Sequence, residues 1–462
     1  MQPGRRRSRT LRTADDGAPL KWDLPSNIQI VGAGLAGCEA AWQLAERGVA
    51  VTLFEMRPVR TTDAHQSDRL AELVCSNSLK SDARPSASWL LKEELRRLGS
   101  LLMRAAAKAR VPGGNALTVD RVAFADEVTA AIEGHPRIEV RREEVAEIDP
   151  ERPTIVATGP LTSDGLAQSI ARLTGSGRLF FYDSISPIVD ATTIDRSVVF
   201  AASRYDKSLD GTGDYLNCPF TKAEYERFVD ELLAAQAVEA HIPNDTPFFE
   251  ACLPIEEIAR RGRDTLRFGP MKPMGLTDPR TGRRPYAAVQ LRQENLRADS
   301  YNLVGFQNHL RFGEQKRVMR LIPGLENAEF LRFGQIHRNT YINAPELLNE
   351  ALRLRSHAKV FFAGQISGVD GSVESIATGL AAGQLAAAQL QGEAVRPFPR
   401  ETAIGSLCHY IANANPKHYQ PANIAFDLFP LPEPNPRDRA ERQAMICERA
   451  LRRLEEYMGV HG

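Results

Sequence analysis

The sequence predicts a Rossmann-like α/β fold that is interrupted by an inserted α+β domain. Two observations predict the α/β part: a strand–glycine turn–helix–strand unit over residues 28–55, and a second strand–glycine turn–helix unit over residues 359–390. The third observation predicts the insertion. Between about residues 185 and 325 the alternation of strands and helices is lost, and strand and loop signals mix with many prolines and glycines.

The first unit carries the fingerprint of a dinucleotide site. Gly32, Gly34 and Gly37 form the pattern G-x-G-x-x-G between a strand and a helix. The first glycine permits a tight turn, the second lets backbone N–H groups approach a pyrophosphate, and the third lets the helix pack closely on the strand. The helix N-terminus then faces the phosphates with its partial positive charge. We expect cofactor contacts from the whole turn: Gly32, Ala33, Gly34, Leu35, Ala36 and Gly37.

An acid and the second glycine unit narrow the choice of nucleotide. Glu55 follows the second strand and can bond both hydroxyls of an adenosine ribose, which favours FAD or NAD over NADP as the resident nucleotide. A second glycine unit after a long insertion is the arrangement of a two-dinucleotide FAD-binding fold, where it completes the flavin and ribityl site. From this unit we expect Gly364, Gln365 and Gly371 to contact FAD.

Composition and charge exclude several classes of protein. The chain has 462 residues, 43% hydrophobic and 25% charged, with a formal net charge of zero. This balance is ordinary for a globular protein of two or three domains and gives no overall attraction to nucleic acid or membranes. Any such binding has to come from a local patch. No apolar run approaches the ~20 residues that span a bilayer, so we expect no membrane partner.

The cysteine pattern favours a reducing compartment. The six cysteines show no C-x-x-C or metal-type spacing, and the arginine cluster at residues 5–9 is not followed by the apolar stretch of an export signal. We therefore expect a cytoplasmic protein with reduced thiols and no metal site. We expect residues 1–25 to be a disordered basic tail, or to result from a start codon that was assigned too far upstream. Most of the cysteines should be small buried hydrophobes: Cys38, Cys218, Cys408 and Cys447.

One segment is strongly basic. Residues 260–292 hold nine basic residues against two acids, with Phe268 and Tyr286 interleaved. A charge run is usually a solvated face, but basic residues with aromatics on a Gly- and Pro-rich scaffold also suit a path for nucleic-acid phosphates. We expect nucleic-acid contacts from six of its residues: Arg260, Arg261, Arg263, Lys272, Arg283 and Arg284.

Two cysteines and one histidine lie in polar or turn-like runs. Cys75 lies in Val-Cys-Ser-Asn-Ser beyond the nucleotide turn, and Cys252 lies in Phe-Glu-Ala-Cys-Leu-Pro-Ile-Glu inside the insertion. His337 lies in Gln-Ile-His-Arg-Asn-Thr-Tyr, where a ring could stack on a flat ligand above the flavin. On the residues alone, each of the three can equally be a buried structural side chain.

Several runs together resemble one family. The chain is similar to the folate- and FAD-dependent tRNA (uracil-5-)-methyltransferases, the TrmFO family, over roughly residues 27–430. The cysteine runs and Gly-Pro-Met-Lys-Pro from Gly269 are specific, whereas the first glycine motif is shared by many flavoproteins. The chain departs from the family in its N-terminal extension and at Asp63, where the family has Pro. The matching runs are residues 32–41, 55–58, 71–79, 89–95, 215–219, 249–256, 267–276, 335–341 and 363–371.

The resemblance implies a reaction and its partners. Methylenetetrahydrofolate would give its one-carbon unit to uridine 54 in the T-loop of tRNA, reduced FAD would supply the reducing equivalents, and NADH or NADPH would reload the flavin. It also implies two essential cysteines. We expect Cys252 to be the nucleophile that adds to uracil C6 and Cys75 to be the flavin-side partner that helps deprotonate C5, although these two roles could be exchanged. His337 would stack on the folate.

These expectations give a domain plan and leave two alternatives. One alternative is a thiol-type oxidoreductase that uses FAD and NAD(P)H, which would need a redox cysteine pair. The other is a relative of the larger flavoprotein that modifies wobble uridine in tRNA, which has a longer C-terminal helical region.

Periodicity also predicts a helix over 89–108 and another over 222–237. The expected domains are the tail 1–25, the first part of the FAD-binding domain 26–185, the inserted substrate- and tRNA-binding domain 186–325, the second part of the FAD-binding domain 326–430, and a Pro-rich segment with a charged helix 431–462.

Overall fold

The computed structural model describes residues 27–62, 64–175, 179–208, 213–238 and 253–461; at residues 179–184, 336–338 and 460–461 it describes only the backbone. The strands are β1 (Asn27–Val31), β2 (Ala50–Phe54), β3 (Ser78–Ser81), β4 (Arg110–Val111), β5 (Ala116–Val119), β6 (Ile138–Arg141), β7 (Thr154–Val156), β8 (Leu179–Ser184), β9 (Ile188–Asp190), β10 (Phe200–Ala201), β11 (Tyr215–Phe220), β12 (Ala287–Gln293), β13 (Ser300–Leu303), β14 (Phe330–Arg332), β15 (Ile336–Tyr341) and β16 (Val360–Phe362). The α-helices are α1 (Leu35–Glu46), α2 (Ala87–Arg97), α3 (Leu101–Lys108), α4 (Arg121–Glu133), α5 (Asp164–Thr174), α6 (Lys222–Ala234), α7 (Ile255–Arg260), α8 (Thr265–Phe268), α9 (Phe312–Met319), α10 (Ala344–Leu347), α11 (Ser372–Leu390), α12 (Ala403–Asn413) and α13 (Arg439–His461).

A parallel sheet organises the first core. Its strand order is β16-β7-β1-β2-β6, and every neighbouring pair is parallel. The carboxyl ends of the strands therefore meet at one edge, where β1 passes into the first glycine turn and β16 into the second. In an open α/β sheet this edge is where ligands bind. Since β16 and β2 lie on opposite sides of β1, a ligand along this edge would extend from the residue after β2, past the first glycine turn, to the second glycine turn.

The two long helices that follow these strands pack directly on each other. A Cβ built on Gly379 of α11 would lie 2.3 Å from the carbonyl oxygen of Ala36 in α1, so only glycine permits this approach. Residues 28–170 and 341–454 share one apolar core although the insertion separates them in the chain. The second half of this core is therefore attached to the first by side-by-side helices as well as by the β16–β7 pairing.

The inserted region has an apolar core of its own. Its antiparallel sheet has the order β10-β11-β12-β13-β9-β14, and its core is drawn from residues 189–328. Helix α6 packs here and begins with a capping box, in which Thr221 and Glu224 each bond the backbone N–H of the other. Strands β8 and β15 pair with each other where the chain enters and leaves this region.

The structure corrects several element predictions. The helix expected over 89–108 is two helices, α2 and α3, because Gly99 adopts a positive φ of 75° and Ser100 starts a new helix by accepting the N–H of Met103. The helix expected over 222–237 ends at Ala234. Among the described residues, no helix is both long and apolar enough to cross a bilayer.

Candidate functional site

A cleft of about 500 Å³ lies at the carboxyl edge of the parallel sheet. At one end it is bounded by the residue after β2 and by residues 143–145; at the other it is bounded by Lys80, Asp370 and Asn423. Of the ten residues expected to contact the cofactor, eight line it: Gly32, Gly34, Leu35, Ala36, Glu55, Gly364, Gln365 and Gly371. Ala33 and Gly37 lie behind the lining and act on the shape of the turn.

The first glycine turn leaves room for a ligand where the fingerprint requires it. A Cβ on Gly34 would meet no atom within 4 Å, whereas a Cβ on Gly37 would lie 1.8 Å from the carbonyl oxygen of Gly32. Gly32 itself has a φ of 100°. Helix α1 begins at Leu35 with no side-chain cap. Its first N–H groups, next to the open space at Gly34, are therefore suited to an anion such as a pyrophosphate.

Glu55 is a buried carboxylate held in place at the end of β2. One of its oxygens accepts the backbone N–H of Ala33 at 3.3 Å, and the other accepts the backbone N–H and Nε of Arg57 at 3.0 and 2.9 Å. Burial would raise the pKa of Glu55, but the hydrogen bonds and charge of Arg57 outweigh burial and hold that pKa below its ordinary value. The carboxylate is thus ionised and oriented before any ribose binds.

The second glycine unit offers donors at the other end of the cleft. Gly371 has a φ of 110° and precedes α11, whose start has no side-chain cap. The amide nitrogen of Asn339, a residue that lines the cleft and is 2% exposed, has no acceptor among the described residues. A buried donor without an acceptor is costly and is normally satisfied by a ligand or water. The two glycine units, Glu55 and Asn339 together fit FAD.

Cys75 lies on the wall of the same cleft. It is exposed, whereas the four cysteines expected to be small buried hydrophobes are buried: Cys38, Cys218, Cys408 and Cys447. Burial raises the pKa of the Cys408 thiol to about 12, so this side chain is unreactive at neutral pH. In the described part of the chain, Cys75 is the cysteine that a ligand in the cleft can reach.

Two predicted residues cannot be placed in the cleft. Cys252 lies outside the described residues, directly before Leu253. The backbone of His337 pairs with Asp183 between β15 and β8, but its side chain lies outside the described part. Within the described residues, no cluster of His, Cys, Asp and Glu could hold a metal ion.

The basic segment 260–292 is less uniformly positive than its sequence. Arg260 pairs with Glu257, and Arg263 pairs with Asp230 at 2.6 Å; both acids lie outside the segment. Arg261, Lys272, Arg283 and Arg284 are exposed. For Lys272, Arg283 and Arg284, no carboxylate among the described residues forms a salt bridge. Phe268 is 81% exposed beside them in sequence, so an apolar ring accompanies the charges.

Sequence reasoning missed several residues that shape the site. Arg57 bridges two acids, since it also donates to Glu72 at 3.0 Å. Lys80 donates to Glu374 at 2.7 Å and to the Asn423 side chain at the far end of the cleft. The Glu-Met-Arg-Pro run could have revealed Arg57, because it places a cation two residues beyond the acid. Nothing local announces Lys80, whose partners are about 300 residues away.

Comparison with known proteins decides the family. The family model for glucose inhibited division protein A matches residues 27–394. A protein of Solibacter usitatus called "Methylenetetrahydrofolate--tRNA-(uracil-5-)-methyltransferase TrmFO" is 69% identical over 93% of this chain and 98% of its own length. The protein of Koribacter versatilis with the same name is 64% identical over 93% of this chain and 98% of its own length. The chain belongs to the TrmFO family.

Solved structures agree on the fold. GidA of Aquifex aeolicus, in its form II crystal, is similar with a TM-score of 0.67 and 16% identity, over 93% of this chain and 73% of that one. This likeness and the parallel sheet confirm the prediction of a Rossmann-like FAD-binding fold. The near-full-length identity to TrmFO proteins favours this family over both the wobble-uridine flavoprotein and a thiol-type oxidoreductase.

Proposed function

We propose that this protein forms 5-methyluridine in tRNA with methylenetetrahydrofolate as the one-carbon donor, and that its target is uridine 54 of the T-loop. The observation that carries the proposal is the exposed Cys75 thiol on the wall of a dinucleotide cleft, in a chain of the TrmFO family. Uracil C5 can bond a one-carbon unit only after a thiolate has added to C6, and the C5 proton must then be removed; a thiol on the wall of the flavin site suits the second of these steps.

FAD would lie in the cleft in one direction. The first glycine turn and the start of α1 would hold the pyrophosphate, Glu55 would accept the ribose hydroxyls, and the turn from Gly364 to Gly371 would face the flavin end. When bound, FAD would supply reducing equivalents that it receives from NADH or NADPH. The protein contributes fixed N–H donors and a fixed carboxylate.

The two cysteines would divide the work on uracil. The Cys252 thiolate would form a bond to C6, and the electrons of the C5–C6 double bond would move to C5, which would then bond the one-carbon unit as one C–N bond of that unit breaks. The Cys75 thiolate would next take the C5 proton as the remaining bond from the one-carbon unit to its donor nitrogen breaks, which leaves an exocyclic methylene at C5. With the hydride equivalent that bound FAD would supply, this methylene would become the methyl group while the Cys252–C6 bond breaks and the C5–C6 double bond returns. That Cys75 lines the cofactor cleft supports its assignment to the second role.

The tRNA would approach over the basic segment 260–292. Lys272, Arg283 and Arg284 are the strongest candidates for phosphate contacts because they are exposed and carry no salt bridge among the described residues. Arg260 and Arg263 would first have to exchange Glu257 and Asp230 for phosphate, and Arg261 is exposed beside them. His337 would be the ring that stacks on folate.

Omission of single components tests the function. Unmodified T-arm RNA is incubated with the purified protein, methylenetetrahydrofolate and NADH, and nucleosides are quantified by mass spectrometry. We expect 5-methyluridine at position 54 only with all components present, and none with RNA in which uridine 54 is replaced by cytidine. Methylation that persists without folate, or that occurs at another uridine, would contradict the proposal.

A further inference from the structure

Arginines from three distant elements hold the loop that carries Cys75. We refer to residues 73–77 as the cysteine segment. Arg121, at the start of α4, donates to the carbonyl oxygens of Leu73 and, at 3.2 Å, of Cys75. The other two arginines belong to the inserted sheet, where Arg292 lies in β12 and Arg332 in β14.

These two arginines complete the hold on the segment. Arg292 donates to the side chains of Ser76 at 2.9 Å and Asn77 at 2.8 Å. Arg332 donates to the carbonyl oxygens of Val74 at 3.1 Å and Ala64 at 3.0 Å. Each residue of the cysteine segment thus accepts a hydrogen bond from a guanidinium group.

The three positive charges are not compensated equally. Arg121 forms a salt bridge with Glu294, whose charge also acts on the buried Arg292. Arg332 forms no salt bridge with a carboxylate of the described residues, and its buried Nε has no acceptor among them. An uncompensated guanidinium inside a protein is unfavourable unless an anion lies nearby.

A Cys75 thiolate would be such an anion. Burial, and next the charge of Arg121, lower the pKa of Arg332, whereas the Cys75 thiolate, Glu72 and Glu294 raise it. His65 lies on the same side of the cleft but is neutral at physiological pH, because burial and the charge of Arg57 lower its pKa to about 4. Among the described residues, the charged groups that contact the cysteine segment or act on its arginines include Arg121, Arg292, Arg332, Glu72 and Glu294, and Glu294 already acts on Arg121 and Arg292.

We propose that Arg332 is a positioning residue for Cys75, which fixes the cysteine segment and keeps the thiol ionised at neutral pH. The inference rests on the proposed function, in which a Cys75 thiolate removes the C5 proton of uracil. Only the ionised sulfur can accept that proton. Because Arg332 lies in the inserted sheet, the placement of that sheet would determine the reactivity of a thiol in the cofactor cleft.

The test measures thiol ionisation without tRNA or folate. The reduced, FAD-loaded full chain is alkylated with iodoacetamide between pH 5.5 and 9.5, and modification of Cys75 is quantified by peptide mass spectrometry. We expect Arg332→Gln to move the midpoint of the rate profile upward by about one pH unit, which corresponds to ~1.4 kcal/mol of lost thiolate stabilisation. Arg332→Lys keeps the charge and should move the midpoint by less than half as much.

A matched control separates charge from folding. Arg320 also donates to a backbone carbonyl of the inserted region, that of Ala328 at 3.1 and 2.9 Å, but does not contact the cysteine segment. Arg320→Gln should therefore leave the Cys75 profile unchanged. An unchanged profile in Arg332→Gln would overturn the proposal, as would a Lys variant that behaves like the Gln variant.

A second measurement needs no variant, so it holds even if Arg332→Gln does not fold. The Cys75 midpoint of the unaltered protein should lie below that of a synthetic peptide of residues 70–80, and equal midpoints would overturn the proposal. Failure of the proposed function would appear separately, as absence of methyl transfer by a protein whose Cys75 profile is still shifted.

Discussion

The nucleotide end of the cleft and the wall that carries Cys75, which we call the thiol end, are built in different ways. At the nucleotide end, the contacts arise within one unit of about 30 residues: a glycine turn, the start of α1 and the acid after β2. At the thiol end, the cysteine segment (residues 73–77) is held by Arg121, Arg292 and Arg332, which belong to three different elements. The first end depends on local backbone geometry, and the second depends on long-range placement of charge. The predictions below separate these two dependences, beginning with the largest expected effect.

Methyl transfer should be lost completely when either predicted catalytic cysteine is removed. We expect Cys252→Ala and Cys75→Ala both to abolish methyl transfer, because loss of a covalent nucleophile or of its partner base cannot be offset by binding. RNA with 5-fluorouridine at position 54 should trap a covalent adduct, since fluorine cannot leave C5 as a proton. The adduct, read by gel shift and peptide mapping, should be absent in Cys252→Ala and retained in part by Cys75→Ala. A crosslink that maps to Cys75 would show that Cys75 is the C6 nucleophile and Cys252 its partner.

At the nucleotide end, substitutions of Gly34 and Gly37 should have different effects. Gly34→Val places a side chain in open space, so the protein should fold but lose FAD, which is read from the flavin absorbance of the purified protein. Gly37→Ala places a Cβ 1.8 Å from the carbonyl oxygen of Gly32 and should destabilise the fold itself by about 3 kcal/mol, measured by denaturant unfolding. Full flavin content in Gly34→Val would show that this turn does not hold the pyrophosphate.

The basic segment should show a graded response to substitution. Arg283→Ala with Arg284→Ala should weaken tRNA binding and reduce the salt slope of log K by about two, because two phosphate contacts are lost. Arg263→Ala should reduce it less, since Arg263 is paired with Asp230. Binding is measured by filter retention over a salt series, with flavin reduction by NADH as the control. Equal slopes for all variants would show that tRNA contacts a different surface of the protein.

The smallest effect concerns pH. Because the pKa of Glu55 lies below its ordinary value, the carboxylate stays ionised as pH falls from 8 to 5. Its contribution to FAD binding should therefore be constant over this range and be lost only under more acidic conditions. Titration of the apoprotein with FAD checks this, with Glu55→Gln as the reference variant. A fall in affinity with a midpoint near pH 6, absent from that variant, would contradict it.

The local contacts at the nucleotide end could be predicted from the sequence better than the long-range contacts at the thiol end. The fold and the nucleotide end were predictable because each glycine and the acid act through spacing along one segment. The single helix expected over 89–108 was wrong because apolar periodicity continues through Gly99 and Ser100, which separate α2 from α3. The contacts of Arg332 and Lys80 could not be predicted, since their partners lie hundreds of residues away and only the folded chain brings them together.

The packing of α11 on α1 also determines when, during synthesis of the chain, the cofactor site can be completed. A ribosome makes the first glycine turn early, but the turn after β16 and the helix that covers α1 follow only after the whole insertion has been synthesised. The inserted core, drawn from residues 189–328, is complete before then. The flavin half of the cleft therefore closes last, and a nascent chain that stops before β16 has half a cofactor site and an uncovered face on α1.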